Sequence, residues 1–371
     1  MLFVLAATIT GIGYILRRMA SFSWVKKHFP GKRRYLAGLG LVLVLSALMY
    51  VTIGLWSMAI AWIHLLVFWL LSDGIAVIVA HLQKKKRNYA VSGLAAVLVT
   101  LVYLGIGVFL TYDVARTEYT ITSDSMETGE TFRIAGFSDS HVGTVFSGKG
   151  LSKFVERMNA ENPDVVVIVG DYVDDETSYE DMVEACRALG NLEARYGVYY
   201  VFGNHDAGYY GKEYRGYGKE ELVEYLEKNH VTVLEDDVVS VKDQVYLCGR
   251  KDASQTDRKP VGDLIGSYVE KNCVIVLDHQ PNDQQAEAQA KADLALSGHT
   301  HGGQFFPINR MGEWFGLNDM TYGIRKQDQT NFIVSSGIAD WALKFRTGCR
   351  SEYFVVDICG RSDDKKKYAD K

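Results

Sequence analysis

The sequence predicts a group of membrane-spanning α-helices followed by an α/β domain, and two observations predict this fold class. The first is a series of apolar stretches before residue 113 that are long enough to cross a bilayer. The second is the alternation of short apolar runs with amphipathic segments in the remainder of the 371-residue chain. Strands that alternate with helices are typical of α/β proteins. We therefore expect residues 1–112 to form a membrane domain and residues 131–360 to form a globular domain.

The front part of the chain contains four apolar stretches. Three of them reach about 20 residues, the length that a helix needs to span a bilayer, and they run over Leu36–Leu55, Met58–Leu82 and Ala90–Tyr112. The other, Leu2–Leu16, is shorter, and its basic residues follow the apolar core. That order argues against a cleaved signal peptide. We expect four transmembrane helices, or three if Leu2–Leu16 does not span, with a tight turn near Trp56–Ser57.

Basic residues predict the orientation of these helices. Residues 1–111 contain eleven Lys and Arg but one acid, Asp73, and the basic residues cluster in Arg17–Arg34 and Lys84–Arg87. Basic loops stay on the cytoplasmic side, so we expect a multi-pass protein of the cell membrane with its globular domain on the extracytoplasmic side. Asp73 and His64 lie within the third apolar stretch. We expect both to pack against neighbouring helices or near a helix end.

The chain after residue 111 is acidic. It holds 29 of the 40 Lys and Arg and 44 of the 45 Asp and Glu, a formal charge of −15. Nucleic acid binding depends largely on Lys and Arg that neutralise phosphates, so no nucleic acid partner is expected. The five cysteines are widely spaced and include no CxxC pair, so they do not define a disulfide framework.

Apolar runs and amphipathic periods predict the secondary structure of the globular domain. The expected strands are Phe132–Phe137, Val165–Val169, Val198–Phe202, Val245–Leu247, Val274–Leu277, Asp293–Leu296, Phe332–Val334 and Tyr353–Val356. The expected helices are Leu151–Asn159, Tyr179–Leu189 and Lys219–Lys228. The polar residues 113–130 are expected to form a linker or a strand that leads into the domain, and residues 361–371 a charged, disordered tail.

Five polar clusters each follow an apolar run of this domain. They are Ser138–His141, Gly170–Asp174, Gly203–Asp206, Asp278–Pro281 and Gly298–Gln304. Loops at strand ends can direct side chains into one shared crevice. Each cluster is a weak signal by itself, and the prediction of a common site depends on all five together. Mixed Asp, Asn and His ligands suit Mn, Fe or Zn, whereas Ca and Mg favour oxygen.

The order of these clusters, DxH, GDxxD, GNHD, a single His and then GHTH, resembles the calcineurin-like metallophosphoesterase superfamily. The resemblance covers about Phe132 to Asp357. The segments GVYYVFGNHD, LCGRKD, LDHQP, GHTHGGQ and SSGIADWALKFRTGC are similar to a bacterial membrane-associated phosphodiesterase branch that is related to UDP-2,3-diacylglucosamine hydrolases. The resemblance implies a domain of two packed mixed β-sheets flanked by helices.

The resemblance also implies a role for each residue of the site. One divalent metal ion would be held by Asp139, His141, Asp171 and His301. A second would be held by Asp171, Asn204, His279 and His299, so that Asp171 bridges the two ions. His205 would donate a proton to the leaving oxygen and Asp206 would orient His205, while Asp174 would have a supporting role.

Two divalent ions can activate water and stabilise the oxygens of an in-line displacement. We therefore expect hydrolysis of a phosphomonoester or phosphodiester, such as an envelope lipid or a lipid-linked substrate, at the outer membrane surface. The aromatic stretches Gly208–Tyr217 and Phe305–Phe306 are either an approach for acyl chains or ordinary loop packing. One alternative is a non-catalytic membrane receptor or scaffold that binds a phosphorylated headgroup, and another is a transporter with an accessory domain. The complete ligand set with His205 favours the enzyme.

Overall fold

The computed structural model describes residues 2–86 and 89–360, with side chains described from residue 6 onward. The chain forms two compact units. The first consists of Met1–Phe109 with Ala342–Thr347, and the second of Leu110–Trp341 with Gly348–Lys371. The tail at 361–371, which we expected to be disordered, lies outside the described residues, as does Arg87 of the second basic segment.

The described part of the first unit contains the helices α1 (Leu2–Met19), α2 (Ser23–His28), α3 (Arg33–Leu82) and α4 (Tyr89–Tyr112). Helices α3 and α4 are long and apolar enough to cross a membrane. Helix α3 covers two of the expected spans and is interrupted at Gly54, where φ is 81° and ψ is 171°. Glycine adopts this conformation without a Cβ penalty. The break therefore lies slightly before the turn that we expected at Trp56–Ser57.

Apolar side chains cover much of the surface of the first unit. Leu36, Val51, Leu82 and Leu98 are among the large apolar residues exposed along α3 and α4. A helix that is apolar on all sides is stable only inside a protein or in a membrane. This surface therefore favours the interpretation of α3 and α4 as spanning helices.

The polar residues expected inside the third apolar stretch do have partners. The Asp73 carboxylate accepts hydrogen bonds from Arg18 Nε at 2.6 Å and Nη2 at 2.5 Å. The Nδ1 atom of His64 lies 2.8 Å from the Ile60 carbonyl oxygen, and its ring contacts Tyr103. The prediction that Asp73 packs against a neighbouring helix is confirmed, because Arg18 belongs to α1.

The second unit contains two six-stranded mixed sheets. The first has the strand order β1-β12-β2-β3-β4-β5 and the second the order β10-β11-β9-β8-β7-β6. In chain order the strands are β1 (Ala115–Ser123), β2 (Thr131–Phe137), β3 (Val165–Val169), β4 (Val198–Val201), β5 (Val231–Leu234), β6 (Asp237–Lys242), β7 (Val245–Gly249), β8 (Cys273–Leu277), β9 (Leu294–Ser297), β10 (Gly323–Gln327), β11 (Thr330–Val334) and β12 (Glu352–Gly360). All eight expected strands are therefore present.

Helices cover the outer faces of the two sheets. They are α5 (Ser152–Asn159), α6 (Tyr179–Leu189), α7 (Lys212–Arg215), α8 (Lys219–Lys228), α9 (Val261–Ile265), α10 (Gln284–Gln289) and α11 (Met311–Trp314), with 3₁₀ turns at Gly148–Leu151 and His301–Gly303. The side chains of β3 show the layering, because successive residues of a strand point to opposite faces. Val167 packs in the core that contains Ile275 of β8, and Val166 packs in the core that contains Phe154 of α5. The two sheets therefore enclose one core, and α5, α6 and α8 enclose another.

The segment 113–130, expected to be a linker or a leading strand, contains β1. This strand pairs in parallel with β12 along its whole length, from Ala115 opposite Glu352 to Ser123 opposite Gly360. It lies at the edge of the first sheet, and exposed residues alternate with half-buried ones along most of it. The polar character of the segment thus reflects an edge strand with one solvated face.

Candidate metal centre

The predicted site residues follow parallel strands in both sheets. Strands β2, β3 and β4 are parallel to one another in the first sheet, as are β7, β8 and β9 in the second. Because the carboxyl ends of parallel strands meet at one edge of a sheet, the loops after them are brought together. The residues in these loops are Asp139 and His141 after β2, Asp171 after β3, Asn204 and His205 after β4, His279 after β8, and His299 and His301 after β9.

Six of these side chains form two clusters that are suited to a metal ion. The clusters are Asp139, His141 and His301, and Asp171, His279 and His299, and the potential ligand atoms of each lie within 4.8 Å of one another. Asp171 lies between them, since its Oδ2 atom is 3.1 Å from Nε2 of His279 and 3.7 Å from Nε2 of His141. Asp171 is thus placed to contact a cation in either cluster.

Two histidines of the site, His141 and His279, are each held by a contact of the Nδ1 atom, and this contact directs the Nε2 atom into the site. Nδ1 of His141 lies 3.1 Å from Oδ2 of Asp174, and Nδ1 of His279 lies 2.8 Å from the Val169 carbonyl oxygen. The Nε2 atom of His141 is buried and has no hydrogen-bond partner among the described residues, while the buried Nε2 atom of His279 lies 3.1 Å from Oδ2 of Asp171 without the geometry of a hydrogen bond. A buried polar atom without a partner is costly, and metal-bound histidines characteristically donate their other N–H in this way. Both residues therefore fit a bound cation.

Asn204 is oriented in a similar manner. Its Nδ2 atom donates to the Tyr209 hydroxyl at 2.8 Å, while its Oδ1 atom is buried and unpartnered among the described residues. The neighbouring backbone N–H of His205 donates to Oδ1 of Asp171 at 2.8 Å. An amide oxygen is a neutral ligand for a divalent ion, so Asn204 fits the role that the resemblance implies for it.

His205 is half-buried and lies between aromatic rings at the edge of the first cluster. Its ring centre is 5.2 Å from that of His141, 5.1 Å from that of Tyr209 and 5.0 Å from that of Trp341. Burial is the largest influence on the His205 imidazole and lowers its pKa. His205 is therefore a stronger acid than an exposed histidine and is placed beside the metal cluster, not within it.

Asp206 does not have the position that we expected. Its carboxylate accepts hydrogen bonds from the backbone N–H groups of Asp171 and Tyr172 at 2.8 Å, Val173 at 3.0 Å and Gly203 at 2.6 Å. No hydrogen bond joins it to the His205 ring among the described residues. The prediction that Asp206 orients His205 is thus corrected: backbone amides occupy both carboxylate oxygens, and Asp206 holds the loop that carries Asp171.

The loops of the site contain unusual backbone conformations. Five of the predicted ligands have φ between 35° and 70°, namely Asp139, His141, Asp171, His299 and His301. Such values are rare for residues with a Cβ and are concentrated at functional sites. In addition, a Cβ at Gly203 would overlap Oδ1 of Asp171, so the close approach of these two loops requires glycine.

The electrostatics of the site favour added positive charge. Burial lowers the pKa of His141, but its hydrogen bond with Asp174 and the charges of Asp171 and Asp139 outweigh burial and raise the pKa to about 9. Burial is also the main reason that the pKa of Asp139 is raised. The raised pKa of His141 reports the negative charge of the carboxylates around its ring, whereas that of Asp139 reports mainly burial. Divalent ions would supply the compensating charge.

Two further residues contact the site, and their roles were not predicted from the sequence. Trp341 lies against His205, as described above, and Oδ1 of Asp340 is 3.7 Å from Nδ1 of His301. Both belong to the segment SSGIADWALKFRTGC, which carried the family resemblance but no motif with an evident chemical role. Their position could have been found only from the pairing of β11 with β9 and of β12 with β2, because the segment that carries them joins β11 to β12.

Comparison with known proteins gives the same assignment. Residues 132–303 match the sequence model of the calcineurin-like phosphoesterase family. The chain is 30% identical to an uncharacterized metallophosphoesterase of Campylobacter jejuni, over 62% of this chain and 59% of that one. It is 32% identical to a Danio rerio protein named transmembrane protein with metallophosphoesterase domain, over 59% and 51%. An uncharacterized metallophosphoesterase of Aquifex aeolicus is 29% identical, over 68% and 95%.

Together the two-sheet fold and the clustered Asp, Asn and His side chains define a metallophosphoesterase domain. Within this class, the region 132–303 is similar to the calcineurin-like phosphoesterase family, whose sequence model it matches. The chain spans a little over half the length of the first two relatives, one of which has a name that describes it as a transmembrane protein.

Proposed function

We propose that this chain hydrolyses a phosphoric ester bond with two divalent metal ions. One observation carries the proposal: Asp171 belongs to one cluster of potential ligands and lies 3.7 Å from Nε2 of His141 in the other cluster, and that Nε2 atom is buried without a hydrogen-bond partner among the described residues. Mn, Fe or Zn suits such mixed nitrogen and oxygen ligands. When bound, two divalent ions supply an activated water and stabilise the charge that develops on phosphate oxygens.

Each residue of the site then has a proposed role. The first ion would be held by Asp139, His141, Asp171 and His301. The second would be held by Asp171, Asn204, His279 and His299. His205 donates a proton to the leaving oxygen, a role that its lowered pKa and its place beside the first cluster support. Asp206 and Asp174 hold the loop of Asp171 and the ring of His141, respectively.

Turnover of simple esters tests the metal-dependent activity. The purified full-length protein is expected to hydrolyse p-nitrophenyl phosphate or its bis-ester with Mn²⁺, and Asp171→Asn is expected to abolish this turnover. Asp328→Asn is a matched control, because Asp328 is exposed and has a φ of 52°, close to the 50° of Asp171. Full activity of Asp171→Asn would contradict the assignment of the metal ligands.

Metal content separates the enzyme from the alternative of a non-catalytic receptor. Elemental analysis of the wild-type protein should give about two equivalents of divalent metal together with turnover. Two bound metal ions without turnover of any phosphoester would support a receptor or scaffold for a phosphorylated headgroup instead. The presence of His205 beside a complete ligand set favours the enzyme.

We also propose that α1, the two parts of α3 and α4 span the cell membrane and that the phosphoesterase domain faces the extracytoplasmic side. The basic segments Arg17–Arg34 and Lys84–Arg87 support this orientation, since basic loops remain in the cytoplasm. Fusion of alkaline phosphatase after Gly360 should give an active phosphatase, whereas a green fluorescent protein at the same position should remain dark. The opposite pair of results would contradict the orientation.

The proposed substrate is a lipid or a lipid-linked phosphoester, as in the branch related to UDP-2,3-diacylglucosamine hydrolases. An exposed apolar segment that is linked by a hydrogen bond to the loop of His299 and His301 supports this proposal. Phe315 and Leu317 are 71% and 68% exposed, and their segment is joined to the site because the hydroxyl of Thr300 donates to the Thr321 carbonyl oxygen at 2.5 Å. Thr300 stands between His299 and His301. Exposed apolar surface of this kind marks interaction sites.

A comparison of substrates tests the lipid proposal. The variant Phe315→Ser with Leu317→Ser should reduce turnover of a phospholipid presented in micelles at least several-fold, while p-nitrophenyl phosphate is hydrolysed normally. Ile324→Ser is the control, because Ile324 is also exposed but lies on β10. Equal losses on both substrates would count against contact between the segment and acyl chains.

A further inference from the structure

A cavity of about 470 Å³ lies within the first unit, apart from the metal centre. It is bordered by the end of α1, by α2, by the beginning of α3 and by the first residue of α4. Among its lining residues are the cations Arg17, Arg18, Lys26 and Arg34 and a single acid, Asp73. The volume lies within the range of small-ligand sites in proteins.

The one acid of this cavity is fully engaged by its neighbours. Arg18 binds both carboxylate oxygens of Asp73, the Tyr14 hydroxyl donates to Oδ2 at 2.5 Å, and the Ser92 hydroxyl donates to Oδ1 at 2.7 Å. Arg18 and Asp73 are only 7% and 5% exposed. Asp73 therefore neutralises Arg18 and has no remaining capacity to balance the other cations.

Three cations of the cavity remain without an acidic partner. Within the described residues, no ion pair is formed by Arg17, Lys26 or Arg34. The Nε atom of Arg34 is moreover buried and has no hydrogen-bond partner there. A buried donor without an acceptor is costly, and guanidinium groups recognise phosphate by paired hydrogen bonds. The cavity thus combines a local charge of +3 with a donor that lacks an acceptor.

We propose that this cavity binds a phosphate-bearing anion and that the anion is the headgroup of an acidic membrane lipid. Basic pockets between membrane helices bind such headgroups. The surroundings support a lipid over a free anion, because Leu36 and Leu39, which follow the cavity on α3, are exposed and apolar. Acyl chains can lie along these side chains while the phosphate contacts Arg17, Lys26 and Arg34.

Two pairs of neighbouring basic residues, Lys26 with Lys27 and Arg33 with Arg34, provide a matched test. Lys26 and Arg34 line the cavity, whereas their neighbours Lys27 and Arg33 do not. The test variant is K26Q/R34Q and the control is K27Q/R33Q, which removes the same two residue types and the same charge. Both variants retain the Arg18–Asp73 pair and the metal centre, so binding at the metal centre cancels in the comparison.

Binding is measured by native mass spectrometry and thermal unfolding of the full-length protein in detergent, with phosphatidylglycerol, phosphatidylcholine or inorganic phosphate added. We expect phosphatidylglycerol to bind and to raise Tm, phosphatidylcholine to have little effect, and K26Q/R34Q to bind phosphatidylglycerol roughly 30-fold more weakly. The control should bind as the wild type does.

Two results would overturn the proposal. Equal weakening of phosphatidylglycerol binding in both double variants would show that diffuse charge, and not this cavity, attracts the lipid. An equal rise of Tm with millimolar inorganic phosphate would show that a free anion, and not a lipid headgroup, is the ligand. A loss of phosphoesterase activity is not a readout of this test, so the proposal does not depend on the function proposed for the metal centre.

Discussion

The Oδ2 atom of Asp174 lies 3.1 Å from Nδ1 of His141 and fixes the ring whose Nε2 atom faces the first metal cluster. Asp174 is itself held by the backbone N–H of Glu176, which donates to its Oδ1 atom at 2.9 Å. A carboxylate that orients a metal-binding histidine also increases the basicity of the imidazole. Asp174 therefore controls both the direction and the protonation of His141.

The variant Asp174→Asn should bind metal in the first cluster about 10- to 100-fold more weakly. Excess Mn²⁺ should restore much of the turnover, because Asp174 positions His141 and does not touch the substrate. Competition with a chelating dye measures the affinity, and Asp263→Asn, an exposed site on α9, is the control. Unchanged affinity in Asp174→Asn would show that the His141 ring is held by other contacts.

Asp206 and its neighbour His205 should respond to substitution in different ways. Asp206→Asn replaces one of the two carboxylate oxygens by an NH₂ group, so two of the four backbone amides lose their acceptor, and it should destabilise the domain by about 1–3 kcal/mol. His205→Ala should leave stability nearly unchanged but lower kcat, since the half-buried ring borders the metal cluster.

Urea unfolding of the metal-free protein measures the stability difference, and Asp243→Asn in an exposed turn is the control. If Asp206→Asn kept full stability and lost only activity, the original expectation that it orients His205 would be restored.

The sequence predicted the position of ligands such as His279 at strand ends, but it did not predict the hydrogen-bond partners of Asp206. All the predicted ligands were found at strand ends because the apolar runs β2, β3, β4, β8 and β9 are continuous in the sequence. Apolar runs do not indicate which hydrogen-bond partners a side chain has in the folded protein. The GNHD motif places Asp206 beside His205, yet the tight loop turns its carboxylate toward the amides of a different loop.

There are also physical reasons why four strands, β1, β5, β6 and β10, were not predicted as definite strands from the sequence. Exposed positions interrupt the apolar pattern of β5 and β6, and β1 and β10 are edge strands with polar, exposed positions. The stability of β1 depends on its pairing with the distant strand β12, and that of β5, β6 and β10 on pairing with β4, β7 and β11, and not on a local apolar pattern. The break in α3 was expected at Trp56–Ser57 and lies at Gly54, because glycine adopts the positive φ of the break without a Cβ penalty.

Asp293 gives a pH dependence that is separate from the metal centre. Its carboxylate accepts from the Ser123 hydroxyl at 2.5 Å and from the Val274 N–H at 3.0 Å. Burial is the main influence and raises the pKa of Asp293 above its usual value. The folded state thus holds the proton more tightly than the unfolded state, and ionisation of Asp293 costs stability as pH rises above about 4.

Asp293→Asn removes this ionisation while retaining an acceptor for the Val274 N–H. Relative to the wild type, the variant should therefore gain stability as pH rises from about 4, and the gain should level off above the folded pKa of Asp293. Thermal unfolding of the second unit by near-ultraviolet circular dichroism in EDTA, from pH 4 to pH 8, measures the difference. A gain that is independent of pH would mean that burial does not shift this carboxyl.

The pair Arg18 and Asp73 should dominate the stability of the first unit. Because both are nearly fully buried, removal of one partner leaves an uncompensated charge, which costs about 3–5 kcal/mol. Arg18→Gln and Asp73→Asn should each lower Tm strongly, whereas the double variant should be less destabilised than the sum of the two. The expected coupling is about 0.5–3 kcal/mol, as for residues in direct contact.

Thermal unfolding in detergent, followed by tryptophan fluorescence, completes this double-mutant cycle. Trp69 is fully buried in the core of the same unit and reports its unfolding. Arg33→Gln is the control, because Arg33 is exposed and forms no ion pair within the described residues. Additive losses in the double variant would show that the two side chains stabilise the unit separately, through Ser92, Tyr14 and Tyr89, and not through their mutual charge.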